Sequence, residues 1–111
     1  MLPTSSRALR NVMREEAFYF FTSIGNYTGQ SAASLDEFLQ RVKDVDIKSL
    51  EFHLFLEDFE KLIAQTLGDG RLAEEIKALR GQKASGNTLR DRLYFAVSRR
   101  LKELRGTVVA R

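Results

Sequence analysis

The chain has 111 residues, of which 43% are hydrophobic and 30% charged, with a net charge of +3 and no cysteine. This composition argues against wholesale disorder, and the length fits a single compact domain over residues 1–111. A chain without cysteine has no disulfide framework or thiolate metal site, and no stretch approaches the ~20 apolar residues that span a bilayer. We therefore expect a cytoplasmic protein that is neither secreted nor embedded in a membrane.

Charge is divided unevenly along the chain. Residues 1–14 carry three basic and no acidic groups, residues 15–70 carry four basic and eleven acidic groups, and residues 71–111 carry eleven basic and four acidic groups. The segment charges are therefore +3, −7 and +7. Such asymmetry is typical of a basic surface for an anionic partner, or of opposite charges that meet inside the fold or across a homodimer.

The N-terminal third predicts a short helix and a hairpin. Ser5 or Ser6 is placed to cap a helix whose apolar side carries Ala8, Leu9, Val12 and Met13. The aromatic run over residues 17–23 predicts a strand, and Gly25 and Gly29 bracket a turn before a second strand. A two-stranded ribbon is marginal alone, so we expect its aromatic residues to lie on helices or on another chain.

Two helices follow the hairpin. Ser34 and Glu37 form a capping box, and the helix that it starts should end near Asp44. Its apolar stripe has helical spacing: Leu35, Phe38, Leu39 and Val42. Asp46 predicts the cap of a central helix that runs through Ile63. Residues 50–56 also alternate apolar and polar side chains, so a strand there is the rival interpretation.

The C-terminal third predicts two more helices. The sequence GDG at residues 68–70 precedes a helix that bears Leu72, Ile76 and Leu79 and closes at Gly81. Asn87 or Thr88 should cap a long last helix, which Gly106 ends in a left-handed conformation. The predicted fold is α+β and mainly α, with four to five helices packed against a small N-terminal β-hairpin.

The hairpin loop is one candidate site. Gly25 and Gly29 would let backbone amides approach an anion beside the start of the next helix. Neighbouring polar side chains would add hydrogen bonds: Ser23, Asn26, Tyr27, Thr28 and Ser31. A purely structural hairpin turn explains the same residues and is the interpretation that the sequence favours.

No catalytic or cofactor signature is present. His53 has Glu57 and Glu60 at helical spacing, but one histidine and two carboxylates make a sparse zinc site, and a solvated helix face explains them better. There is no nucleophile elbow around any serine and no P-loop. We therefore expect neither enzymatic activity nor a bound metal or cofactor.

The last helix carries the most informative surface. At about 100° per residue its apolar side holds Leu89, Leu93, Ala96, Val97, Leu101 and Leu104. A second side holds Arg92, Phe95, Arg99 and Lys102, and the candidate partner-binding set adds three more cations: Arg90, Arg100 and Arg105. An aromatic ring among cations suits stacking on a base while the cations hold phosphates. The alternative is that Phe95 packs beneath the N-terminal segment.

Three stretches carry a resemblance to a known family. The sequences AFYFFTSIGNYTGQSAASLDEFL, SLEFHLFLEDFEKLI and LRDRLYFAVSRRLKEL together resemble a domain-of-unknown-function family associated with thermophilic archaea and bacteria. The resemblance extends from about residue 9 and is most specific at residues 23–29, 34–38 and 49–53, with Asp58 and Phe59. It implies a thermophile-type cytoplasmic protein, supplies no catalytic assignment and leaves the function open. In related sequences a glycine often aligns within residues 55–57; this chain lacks it, which makes a break in the central helix less expected.

Two hypotheses of function follow. The first is a non-enzymatic binding protein, a homodimer, whose basic last helix docks on nucleic acid or on a ribonucleoprotein such as the ribosome. The second is a small ligand-binding or regulatory module that uses the loop from Gly25 to Gly29 to hold a phosphorylated or sugar-like ligand.

Overall fold

A computed structural model describes the backbone of residues 4–109 and the side chains of residues 7–106. The described chain forms six α-helices and one antiparallel hairpin, as a mainly helical α+β fold predicts. In chain order the elements are α1 (Thr4–Leu9), a 3-10 turn (Arg14–Glu16), β1 (Phe18–Ser23), β2 (Asn26–Ala32), α2 (Leu35–Asp44), α3 (Ile47–Phe55), α4 (Asp58–Lys61), a π-helical turn (Leu62–Thr66), α5 (Gly70–Gly81) and α6 (Gly86–Val109).

The hairpin forms where the aromatic run predicts it, but its turn is tighter than expected. The turn consists of Ile24 and Gly25 alone, and Gly29 lies inside β2, where it has a φ of +86° next to a shift in the strand register. The prediction that Gly29 closes the turn is therefore wrong, because this glycine makes a bulge instead. Phe18 and Phe20 point from β1 into the helices, which confirms that the ribbon depends on helical partners.

The start of α2 confirms the predicted capping box. The Ser34 hydroxyl accepts a hydrogen bond from the Glu37 amide at 3.2 Å, and the Glu37 carboxylate accepts one from the Ala33 amide at 2.8 Å. All four residues of the predicted stripe are buried, and the helix ends at Asp44. Local capping and periodicity therefore specify this element completely.

The central helix is interrupted. Residues 47–55 are helical, which excludes the rival strand, and Asp46 caps the helix as predicted through a 2.9 Å bond from the Lys48 amide. The helix then stops at Phe55, and Glu57 turns the chain with a φ of +65° before α4 begins. The prediction of one helix through Ile63 is thus wrong. The break leaves Phe55 79% exposed, although the sequence places it among core residues.

Replacing Glu57 with glycine should stabilise the protein. Left-handed backbone costs a residue with a Cβ about 1 kcal/mol, and glycine avoids that cost. The carboxylate lost with Glu57 reaches Arg80 only at 4.0 Å in an exposed pair, which contributes little. We expect the free energy of unfolding, measured by chemical denaturation, to be about 1 kcal/mol higher for Glu57→Gly than for Glu57→Ala. Both variants lack the carboxylate, but only glycine removes the strain of the left-handed backbone. Equal stability of the two variants would contradict this account.

The termini of α1 also differ from the predicted ones. Helix α1 begins at Thr4, so Ser5 and Ser6 lie inside it, and it ends before Val12 and Met13. Helix α5, in contrast, closes at Gly81 as predicted, and the left-handed residue that follows it is Lys83.

Helix α6 starts earlier and ends later than predicted. It begins at Gly86, ahead of Asn87 and Thr88, because the Gly86 amide donates a 2.8 Å bond to Glu51 of α3. It also continues through Gly106, which does not have a positive φ. Tertiary hydrogen bonding and packing set these ends, so capping preferences alone misplace them.

The buried apolar side chains form one cluster to which the hairpin and all six helices contribute. Phe20, Phe38 and Phe59 are fully buried in it, with ring centroids 5.2 to 6.3 Å apart. The long α6 packs against four other helices, α1, α2, α3 and α5.

Candidate functional site

The outer surface of α6 is the candidate site, and Phe95 lies at its middle. The six residues predicted for the apolar side of this helix are all buried. Phe95 lies outside that side and is 66% exposed, so its ring does not pack beneath the N-terminal segment. A single exposed apolar side chain is ordinary on a protein surface, so the neighbours of Phe95 decide what its ring can do.

An open groove runs beside Phe95 between α5 and α6. Its volume is about 560 Å³, and its apolar lining comes from Ala78, Leu79, Phe95 and Ala96. Polar and charged side chains of both helices, including Glu75, Gln82 and Arg92, form the rim. The groove therefore offers an aromatic wall with charged margins, which suits a flat or aromatic group on a partner.

Three arginines of the predicted set are engaged with acids of the same chain. Arg99 bonds Glu75 of α5 and, at 2.9 Å, Glu103. Arg100 bonds Asp69 through two nitrogens, at 2.8 and 3.2 Å, and also reaches Glu103. These five residues form one alternating network, in which the hydrogen bond from Arg100 lowers the pKa of Glu103. Arg105 at the far end of α6 pairs with Asp36 of α2.

Arg90 has an equally structural role. Its guanidinium donates to the carbonyls of Lys43 and Val45 at 2.7 and 2.6 Å, where α2 ends and has no backbone donors left. Together with the Arg105 pair, this contact fixes α2 to α6 at both ends. Most of the predicted basic surface therefore meets carbonyls and carboxylates inside the fold. These contacts explain part of the uneven charge distribution, because arginines of the basic C-terminal segment pair with carboxylates of the acidic middle segment.

Two cations of the set remain directed at solvent. Arg92 is exposed and donates only to the neutral Gln82 side chain at 2.9 Å, and Lys102 is exposed. Neither has a carboxylate within 4.0 Å among the side chains that the structure describes. We call Arg92, Phe95 and Lys102 the Phe95 strip. The sequence predicted all three, but it could not separate them from the four arginines that hold the fold together.

The polar residues of the hairpin loop bond to the hairpin itself. Asn26 and Ser23 bond each other across the turn. The Thr28 hydroxyl donates to the Phe20 carbonyl at 2.7 Å and accepts from the Gln30 amide at 3.1 Å. The carbonyl of Ser31 accepts from Arg41. These are contacts that a structural hairpin needs, as the favoured interpretation predicted.

The loop and the next helix do not combine into an anion site. The turn lies at one end of β2 and the start of α2 at the other, which separates them by about 20 Å over seven extended residues. Asn26 and Tyr27 are the exposed members of the loop set, and Tyr27 is 47% exposed.

His53 is a core residue. It is only 4% exposed, and its Nε2 accepts a 2.8 Å hydrogen bond from the Phe21 amide, so the proton lies on Nδ1 and is donated to Asp58 at 2.9 Å. Burial lowers the pKa of His53, against the hydrogen bond and charge of Asp58, which raise it. Glu60 instead binds Arg80, at 2.8 Å. Among the described residues, no three metal-binding side chains cluster together.

Sequence spacing missed the partner of this histidine. On a continuous helix Asp58 would lie more than a turn away from His53 on a different side. The left-handed Glu57 folds the chain back and brings the carboxylate to the ring. No residue preference within 55–57 of this chain pointed to the break.

No family model, no curated protein and no solved structure matches the chain. The resemblance to a domain-of-unknown-function family therefore stays a prediction. None of the helices in the described part of the chain is long and apolar enough to cross a membrane.

Proposed function

We propose that this chain is a non-enzymatic binding protein that docks on a nucleic acid, alone or in a ribonucleoprotein such as the ribosome, through the Phe95 strip. The observation that carries the proposal is an exposed phenylalanine between two cations that have no acidic partner among the side chains of residues 7–106. Every other predicted cation of α6 has an internal role, so the strip is the part of the helix free for recognition.

The spacing of the strip suits a single-stranded polyanion. Arg92 and Lys102 are ten residues apart on α6, which separates them by about 15 Å along the helix axis, with Phe95 between them. A ring in this position stacks on an unpaired base, and the flanking cations contact the phosphates on either side. Stacking of this kind tolerates any base, so we expect affinity with little sequence preference.

Salt dependence distinguishes this strip from a fully basic helix. For single strands the slope of log affinity against log salt is about −0.7 for each phosphate neutralised. Two free cations therefore predict a slope of about −1.4, whereas all six cations of the original set would give about −4. A measured slope near the larger value would mean that the internal ion pairs open on binding, contrary to the structure.

Phe95→Ala should weaken binding to a fluorescein-labelled single-stranded RNA by about 5- to 100-fold, because stacking one base contributes about 1 to 3 kcal/mol. The measurement is fluorescence anisotropy at low salt with the full chain. Phe55→Ala is the matched control, since it removes an equally exposed ring on α3 and should leave the affinity unchanged. Arg92→Gln should reduce the salt slope by about 0.7. Absence of RNA and DNA binding at low salt would reject the proposed function, and so would equal losses for both phenylalanines.

The proposal places the protein in the cytoplasm as a homodimer. A chain without cysteine needs no oxidising compartment for its folding, which is compatible with the cytoplasm. Ion-pair networks such as the one that joins Asp69, Arg100, Glu103, Arg99 and Glu75 support the thermophile-type assignment. Two copies would also present two Phe95 strips to one polymer, which raises the overall affinity if both engage at once.

A further inference from the structure

The outer surface of the hairpin carries three aromatic rings, of which Tyr19 and Phe21 are half-buried and Tyr27 is exposed. Tyr19, Phe21 and Tyr27 lie on the side of the hairpin away from the core, with ring centroids 5.9 Å apart for Tyr19 and Tyr27 and 5.4 Å for Phe21 and Tyr27. Ile24 extends this surface at the turn and is 90% exposed. We call these four residues the outer hairpin face. An isoleucine this open beside three rings is costly to leave in water.

The face is held in place before any partner arrives. The Tyr19 hydroxyl donates to the Arg14 carbonyl at 2.8 Å, and Tyr27 packs against two rings. Behind the face, the Phe21 amide is tied to His53 of α3. Because these rings are already ordered, a partner that covers them loses little additional conformational entropy.

The two strands of the hairpin carry no charged side chain, and the nearest charged residues in sequence are Arg14, Glu15 and Glu16 before it and Asp36 after it. Residues 17–35 contain nineteen consecutive uncharged side chains in a protein that is 30% charged. Exposed hairpins are normally protected from association by lysines or other charges, and this one has none. A hairpin surface without this protection is suited to being covered by a partner.

The lack of charge on the hairpin strands also bears on which kind of partner fits the outer hairpin face. In a two-fold dimer a surface meets its own copy, so each charge tends to meet a like charge. A neutral aromatic face is compatible with its own copy, whereas the Phe95 strip is not, because the Arg92 and Lys102 of two copies would repel. The strands themselves offer a different protein partner no charge with which to pair, and the charged residues Arg14 to Glu16 lie only at the edge of the face.

We infer that a second copy of this chain covers the outer hairpin face, about a two-fold axis that passes close to Ile24 and Tyr27. This assignment rests on the proposed homodimer and is independent of the proposed binding of nucleic acid. The two Phe95 strips stay outside the dimer interface, and each remains available to an anionic partner.

The test is sedimentation equilibrium of the full chain at about 1 to 100 µM, the range in which a small interface dissociates. We expect a dimer for the wild type and a monomer for Ile24→Lys/Tyr27→Lys, with dissociation constants at least 100-fold apart, since four unpaired ammonium groups would enter the interface. Ile24→Lys alone should give most of the change and cannot disturb the core, because Ile24 lies in an exposed turn. Circular dichroism checks that each variant is folded.

Phe55→Lys is the control, because it places the same charge on an equally exposed apolar residue of α3. This variant should remain a dimer. A wild-type chain that stays monomeric throughout the concentration range would contradict the proposed homodimer. A different protein would then be the partner to test for the outer hairpin face. A wild-type dimer that resists both hairpin substitutions, or that Phe55→Lys also dissociates, would overturn the assignment of the face alone. Binding of RNA by the Phe95 strip is measured separately, so its failure would be distinguishable.

Discussion

Asp69→Ala is expected to lower the free energy of unfolding by about 3 kcal/mol, a decrease of roughly 12 to 24 °C in the melting temperature of a domain this size. Asp69 is only 1% exposed, and its carboxylate makes three contacts. It caps α5 through the Leu72 amide and accepts two bonds from Arg100. Removal of the side chain therefore deprives a helix of its cap and leaves a nearly buried guanidinium short of its main partner.

Asp69→Asn separates the two contributions. The amide oxygen of asparagine caps a helix as well as aspartate does, but it brings no negative charge to Arg100. We expect this variant to lose about half as much stability as Asp69→Ala. Thermal unfolding followed by circular dichroism measures both. A loss under about 1 kcal/mol for the alanine variant would mean that Glu103 alone compensates Arg100 and that the network is redundant.

The second large effect is a loss of stability as the pH falls below about 6.5, the ordinary pKa of histidine. Burial lowers the pKa of His53 in the folded protein, so the unfolded chain binds the proton more readily. The stability that neutral His53 contributes is complete above the unfolded pKa. It then decreases by up to about 1.4 kcal/mol per pH unit until the folded pKa is reached.

The structure gives the reason for this direction. His53 must stay neutral for Nε2 to accept the Phe21 amide, and protonation replaces that acceptor with a second donor. The ring also lies among apolar partners, with centroids 4.7 Å from Phe18 and 5.7 Å from Phe59, which disfavours a charge. Asp58 opposes the effect but does not reverse it. We expect the hairpin to loosen first, since His53 joins it to α3.

His53→Gln is the control for the pH effect. Its amide oxygen can still accept from Phe21, and the side chain has no proton to gain in this range. Urea denaturation at pH 7, 6 and 5 should show a steep decrease for the wild type and a much flatter one for the variant. Equal slopes for the two proteins would assign the acid sensitivity to other groups, such as the carboxylates that pair with arginines.

On α6 the spacing of residues predicted the buried side of the helix correctly, but it did not show which of the cations are exposed to solvent. The apolar side of the helix was predicted residue by residue, whereas the exposure of Phe95 was one of two alternatives that the sequence left open. Counting cations, however, overestimated the basic surface, because a sequence does not indicate which arginines find acids or carbonyls. Arg90 and Arg105 reach residues of α2 that lie 45 to 69 positions away.

Three features were predictable because their signals are local: the aromatic strand, the capping box at Ser34 and the apolar side of α6. Their causes act within one or two helical turns, so a single stretch of residues contains all the information. The break at Glu57, the pairing of His53 with Asp58 and the internal use of most cations on α6 were not predictable in this way. Each of these depends on groups that are distant in sequence, or on a backbone turn that no local residue preference favours.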